Sequence, residues 1–219
     1  ASGNLESIII PETVTKIQEN AISNGAIIYS KLNSEIHKYA EESQHPYIID
    51  EIMPTITYTP KEGIMAQKQY ETTINVVDDE YGVGIRETSL KYQWTQSTEQ
   101  PIEESFTKTF SNGETISKND GDGEWYLWVL AKDKLGNTAI VRSNAYILDN
   151  TSPICNVGYN TTQPTNQNVI VTLASNEKLQ ELEDWILSED KLVLTKEYTE
   201  NIAEEKIEVK DLAGNETQV

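Results

Sequence analysis

The sequence predicts a mainly β protein in which a short N-terminal segment with one helix precedes two tandem antiparallel β-sandwiches. Three observations carry this expectation. Short runs of strand-forming residues recur at close spacing, separated by Gly, Asn, Asp and Pro, which is the pattern of an all-β chain. One phrase occurs twice, as Lys132-Asp133-Lys134-Leu135-Gly136-Asn137-Thr138 and Lys210-Asp211-Leu212-Ala213-Gly214-Asn215-Glu216-Thr217. An acidic side chain able to bond its own backbone, leading into Gly-Asn, marks a tight reversal between antiparallel strands. Finally, Asp50-Glu51-Ile52-Met53-Pro54 is echoed by Asp149-Asn150-Thr151-Ser152-Pro153, which places boundaries between segments 1–50, 51–149 and 150–219.

Composition narrows the function classes. With 36 acidic and 17 basic residues the formal charge is -19. Such a chain repels phosphates and anionic lipid, so no nucleic acid partner and no direct membrane insertion are expected, whereas divalent cations or basic partners fit. No apolar run approaches the roughly 18 residues that cross a bilayer as a helix. Cys155 is the single cysteine, which excludes an internal disulfide and Cys-based zinc; it reads as a small buried hydrophobe or an inert thiol. The opening Ala1-Ser2-Gly3-Asn4 has no initiator Met, and the chain stops just after a hairpin signal, so an excised fragment is expected.

Taken in order, Leu5, Ile8, Ile10, Val14 and Ile17 fit neither a helix nor one plain strand. They suit a short strand, a turn at Pro11 and a second short strand whose inward residues stack on a neighbouring coil. A strand at Ile27-Ile28-Tyr29 follows. Asn33 is the expected N-cap of a helix running to Glu42, with Glu35 in its first turn and Ile36, Tyr39 and Ala40 on one apolar face. A helix this short needs a surface to pack on, so it reads as a cap. Tyr47-Ile48-Ile49-Asp50 is a last strand. The stretch Leu5 to Ile22 resembles one unit of the BspA-type leucine-rich repeat of bacterial surface proteins, with Ile10-Pro11, Val14, Ile17 and Ala21 in register. Gln18 and Ile22 replace that family's Gly and Phe, as suits a degenerate terminal repeat.

In segment 51–149, Thr55–Thr59 lies between Pro54 and Pro60 as a strand, and Tyr70–Val77 points Thr72, Ile74 and Val76 inward. Leu90, Tyr92 and Trp94 alternate with polar residues, Trp94 reading as a core anchor, and Phe106 and Phe110 flank another strand. Trp125–Ala131 is apolar enough for a strand covered on both faces. Thr138 through Leu148 returns as the closing strand. The pattern Asp79-Glu80-Tyr81-Gly82-Val83-Gly84-Ile85, then Tyr92-Gln93-Trp94, then Ala131-Lys132-Asp133 with Gly136-Asn137, resembles the bacterial Ig-like domains of surface proteins. In segment 150–219, Val169, Val171 and Leu173 share a strand face. Trp185 and Leu187 pair across a Ser188–Lys191 turn with Leu192 and Leu194, and Ile207 and Val209 lead into the repeated turn. This segment resembles a second, shorter Ig-like domain.

Few residues offer chemistry. His37 and His45 are the histidines able to act as bases near neutrality; both are expected at the surface, with no Gly-x-Ser-x-Gly motif beside them, so no enzyme and no catalytic residue is expected. Calcium candidates are Asp78, Asp79 and Glu80 ahead of Gly82 and Gly84, and Asp120 and Asp122 within Asp-Gly-Asp-Gly. Neither group has EF-hand spacing, and Asp-Gly turn chemistry is the simpler reading. Trp125 and Trp128 lie on opposite faces of one strand, so a sheet covered on one side would expose one ring to a ligand. The resemblances imply a non-catalytic structural and adhesive segment of a modular, extracellular bacterial protein. It would act as spacer and presenter of a leucine-rich repeat array that meets a host or microbial surface protein or glycan. The alternative is an Ig-like carbohydrate-binding or calcium-dependent module, accessory to a secreted enzyme.

Overall fold

A computed structural model describes residues 5–11, 13–202 and 204–219; Ala1-Ser2-Gly3-Asn4, read above as a cut end, lies outside them. The protein is mainly β, with several antiparallel sheets and one small parallel sheet. It forms two compact units, one from Ala1–Glu62, Glu71–Ile116 and Tyr126–Asn144, the other from Gly63–Tyr70, Ser117–Trp125 and Ala145–Val219.

The first unit opens with β1 (Ser7–Ile9), β2 (Ile27–Ser30), α1 (Glu35–Glu42) and β3 (Tyr47–Ile49). The three strands run parallel in the order β1-β2-β3. Parallel neighbours require a crossover, and the long passage from Ile10 to Ala26 supplies one without a second strand among its described residues: Val14 and Ile17 pack against the core from irregular backbone. The expected strand after Pro11 is absent because the Val14 amide turns back to the Pro11 carbonyl. Ile10, Ile22, Ala26, Ile28, Ile36 and Ala40 form the buried cluster beneath α1. The N-cap is Ser34, one residue later than expected: its hydroxyl accepts the His37 amide at 3.1 Å, while Asn33 sits at φ 59.

The strands that follow are β4 (Thr55–Thr59), β5 (Gly63–Gln67), β6 (Tyr70–Val77), β7 (Lys91–Thr95), β8 (Lys108–Thr109), β9 (Thr115–Lys118), β10 (Gly123–Lys132), β11 (Thr138–Arg142) and β12 (Tyr146–Leu148). One sheet has the order β4-β6-β9, with Ile56, Tyr58, Thr72, Ile74 and Val76 buried on a common face. In the other, β10 pairs with β7 and β11, and β7 with β8. Tyr58 ties β4 to β11 by donating to the Val141 carbonyl at 2.7 Å. β10 is buried on both faces as its apolar run predicts: Leu127, Val129 and Ala131 have no exposure, and Trp128 and Leu130 form a cluster with Phe106 on the other face. Trp94, which stands opposite Leu127 in register and so on the face of Leu127 and Val129, is half-buried rather than the fully buried anchor expected. The expected single closing strand is two strands, because Ser143 interrupts it: its hydroxyl accepts the Leu127 amide at 2.9 Å.

In the second unit, the Gly123–Trp125 end of β10 pairs with β12, which pairs in parallel with β5. Beyond these lie β13 (Cys155–Tyr159), β14 (Val169–Ser175), β15 (Ile186–Leu187), β16 (Val193–Tyr198), β17 (Glu208–Lys210) and β18 (Glu216–Gln218). They form one antiparallel sheet, β13-β14-β16-β15, and one hairpin, β17-β18. Leu173, Leu179, Leu194 and Val209 are the buried centre, and the half-buried Cys155 and Trp185 pack against it. Both repeated turns are hairpins, with Gly136 at φ 91 and Gly214 at φ 84. A left-handed residue is what such a reversal needs, and glycine takes it without a Cβ clash.

Candidate functional site

The repeated turn does more than reverse the chain. Asp133 has no exposure; its Oδ1 accepts the Asn137 amide at 2.8 Å and its Oδ2 accepts the Asn137 carboxamide at 2.7 Å. The same carboxamide donates to the Asp50 carbonyl at 3.0 Å, which fastens the turn to the chain leading into β4. In the second unit Asp211, 1% exposed, accepts the Asn215 amide at 2.8 Å and the carboxamide at 2.8 Å, and that carboxamide donates to the Asp149 carbonyl at 3.0 Å. These three bonds recur in both arrangements, and the second adds one from the Asn215 carboxamide to the Asp149 carboxylate at 3.4 Å. A strand segment runs beside each turn as well: Ile85 bridges to Asp133 with the Arg86 amide on the Lys132 carbonyl, and Leu179 bridges to Asp211 with the Gln180 amide on the Lys210 carbonyl.

Each latch also gathers three carboxylates. Oxygens of Asp50, Asp78 and Asp133 lie within 4.8 Å of one another, and those of Asp149, Glu177 and Asp211 do the same. Asp78 follows β6 directly and Glu177 follows β14, and the spacing from Asp50 to Asp78 equals that from Asp149 to Glu177. The Asp50 carboxylate accepts the Ile52 amide at 3.0 Å and the Val83 amide at 3.1 Å, and Asp78 accepts the Gly84 amide at 2.6 Å. One Asp78 oxygen, Oδ1, is buried without a hydrogen-bond partner among the described residues. Like charges this close repel, and burial strengthens the repulsion. Burial first, then the charges of Asp50 and Asp133, push the Asp78 carboxyl up from its ordinary value against the Gly84 amide, which lowers it. Burial, then Asp149, Asp211 and Asp122, push Glu177 up in the same way. Such a group of hard oxygen donors fits a divalent cation such as calcium, or else one proton shared near the middle carboxylate.

Of the five calcium candidates expected from sequence, Asp78 alone belongs to a triad. Asp79 makes a local turn by accepting the Tyr81 amide at 2.9 Å, and Glu80 is exposed. Asp120 takes the Lys118 ammonium at 2.7 Å. Asp122 accepts the Asn150 amide at 2.6 Å, so it sits beside the second triad without joining it. Sequence reasoning missed Asp50, Asp133, Asp149, Glu177 and Asp211, although the two repeated phrases containing four of them were visible. Neither proposed ligand tryptophan presents an open ring. Trp128 is 6% exposed, and Trp125 is half-buried beneath the Lys118 ammonium, 3.7 Å from its ring. The histidines are corrected too: both are 6% exposed. The His37 Nδ1 accepts the Asn33 amide at 3.0 Å, and the His45 ring bonds Ser43 and the Ser23 carbonyl. They brace loops around α1.

No family model matches this sequence, and no curated protein matches it. Among solved structures it is similar to the human desmocollin-1 ectodomain, at 14% identity and a TM-score of 0.33 over 82% of this chain. The chain spans 40% of the length of that one. At that level of likeness the class of the protein rests on the strand pairing above: a mainly β chain of antiparallel sheets with a small parallel sheet in front.

Proposed function

We propose that the chain is a non-catalytic, structural and adhesive spacer segment of a modular extracellular protein of a bacterial surface. It would comprise the end of a leucine-rich repeat array (1–50) and two Ig-like sandwiches (51–149 and 150–219). The observation that carries this reading is the duplicated latch, in which Asn137 and Asn215 each tie a buried turn aspartate to the backbone of the chain entering the sandwich. A spacer has to keep the entry of each module fixed under load, and a carboxamide that bonds the entering backbone while a charge-assisted bond to a buried aspartate holds it in place does so. The parallel ladder β1-β2-β3 over one apolar cluster supports a repeat-array end, since stacked coils pair in parallel. The array would meet a host or microbial surface protein or glycan.

A second reading, that calcium stiffens each latch, is favoured by the unpartnered buried oxygen of Asp78 and by the recurrence of the triad. One experiment addresses both: pulling the whole chain by its ends in a force instrument, in calcium and in chelator. Discrete unfolding events above the baseline are expected, at higher force in calcium. A chain that extends without resistance refutes the spacer; identical traces and identical melting temperatures in the two buffers refute calcium.

A further inference from the structure

Beyond the spacer reading, and independently of it, we propose that the second unit carries a glycan-binding site at Trp185, taking neutral or amino-sugar oligosaccharides. A concavity of about 570 Å³ lies between the 180–185 loop, Lys196 and the 205–210 segment. That volume lies within the range of small-ligand sites and exceeds what one sugar ring needs. Trp185 lines it, half-buried, packed against the Leu173, Leu179, Leu194 and Val209 cluster and edge-on to Tyr198 at 6.5 Å. The Lys196 ammonium stands over this ring at 5.8 Å from its centroid, farther than the 3.7 Å of Lys118 over Trp125, and the part of the ring that lines the concavity offers an apolar edge for the C–H face of a pyranose.

The polar groups around the ring are of both kinds. Glu181, Glu183 and Asp184 stand exposed on the loop as acceptors. The Lys196 ammonium, 5.8 Å from the Trp185 ring, is held in the mouth by Glu205 at 3.5 Å, and Tyr198 in turn donates to Glu205 at 2.6 Å. A rim with donors and acceptors side by side suits hydroxyl groups, which do both. The chain's charge of -19 turns away sulfated and sialylated glycans, leaving neutral and amino sugars. Asp184 stands at φ 64, a left-handed conformation that Asp and Asn adopt more readily than other side chains, and it immediately precedes Trp185.

The test is a titration of the whole chain with cellotriose, chitotriose, its deacetylated form, a heparin trisaccharide and hexalysine. It is read by the assigned indole and loop 180–185 amide shifts in NMR. Saturable shifts there with one of the first three sugars are expected, at a Kd of about 1 mM or tighter. Asp184→Asn, which suits the left-handed backbone, and Glu183→Gln should each weaken binding by about tenfold, the loss expected for a charged hydrogen bond. Trp125→Phe should leave binding unchanged. Three results each overturn the proposal: no saturation by any of the three sugars, shifts that survive in the Asp184→Asn/Glu183→Gln double variant, or tighter binding of heparin or hexalysine. None of them bears on the pulling experiment, so the spacer reading stands or falls separately.

Discussion

Replacing Asn137 by Ala removes the centre of the first latch. Two side-chain hydrogen bonds disappear, one to the fully buried Asp133 carboxylate at 2.7 Å and one to the Asp50 carbonyl at 3.0 Å. A bond to a charged partner contributes about 1.5–3 kcal/mol and a neutral one about 1 kcal/mol, so the expected loss is about 2–4 kcal/mol. The Asp133 Oδ1 bond to the residue 137 amide remains, since it uses backbone. Urea unfolding followed by hydrogen exchange measures the loss and locates it, with faster exchange expected across residues 50–54 and 132–138. Asn215→Ala should produce the same loss around Asp149 and Asp211, where the bonds repeat at 3.0 and 2.8 Å. A change of less than about 0.5 kcal/mol, the level of an ordinary surface substitution, would show that the latch is geometry without energy and would refute the reasoning.

Two further outcomes follow from the same region. Gly82→Ala should destabilise by about 1–3 kcal/mol, the cost of overpacking, because its Cβ would stand 2.5 Å from Asp78 Oδ2 and 2.7 Å from Asp79 Oδ2; a melting temperature equal to the parent's would contradict this placement of the two carboxylates. The pH response follows from Asp78 and Glu177, both raised mainly by burial. The folded protein binds protons at these groups more tightly than the unfolded chain, so their contribution to stability falls as pH rises from the ordinary values of 3.8 and 4.5 through the raised ones. In chelator, acidification from neutrality should therefore stabilise the protein until those ordinary values are reached. Asp122, Glu205 and Glu216, held low chiefly by hydrogen bonds from Thr151, Tyr198 and Lys210, lose their contribution as pH falls further. Asp78→Asn should flatten the rise; an unchanged slope in that variant would assign the effect elsewhere.

Several elements were legible from residue order because their causes are local. The strand Thr55–Thr59 matches its expected bounds, and the inward face of Thr72, Ile74 and Val76 is buried as the alternation requires. Both Gly-Asn hairpins form where the repeated phrase stands. Strands with weak patterning went unread: Gly63–Gln67 pairs in parallel with Tyr146–Leu148, and Cys155–Tyr159 contains Gly and Asn yet pairs with Val169–Ser175 in register. Their partners, rather than their own composition, make them strands.

The candidate site was legible only in fragments. Asp133 and Asn137 lie four residues apart, and their contact is a property of the turn. The bond from Asn137 to Asp50 spans 87 positions and that from Asn215 to Asp149 spans 66, distances over which no periodicity carries information. The same holds for the burial of His37, His45 and Trp128, each decided by a surface that a distant or irregular segment brings over it. Residue order by itself therefore determined the β class, the short helix and the two reversals, through alternation, capping and positive-φ preference within a few residues. Tertiary structure alone decided which acids meet. Bringing like charges within 4.8 Å has no local advantage; burial of the surrounding strands and the amides and carboxamides of each latch hold them there.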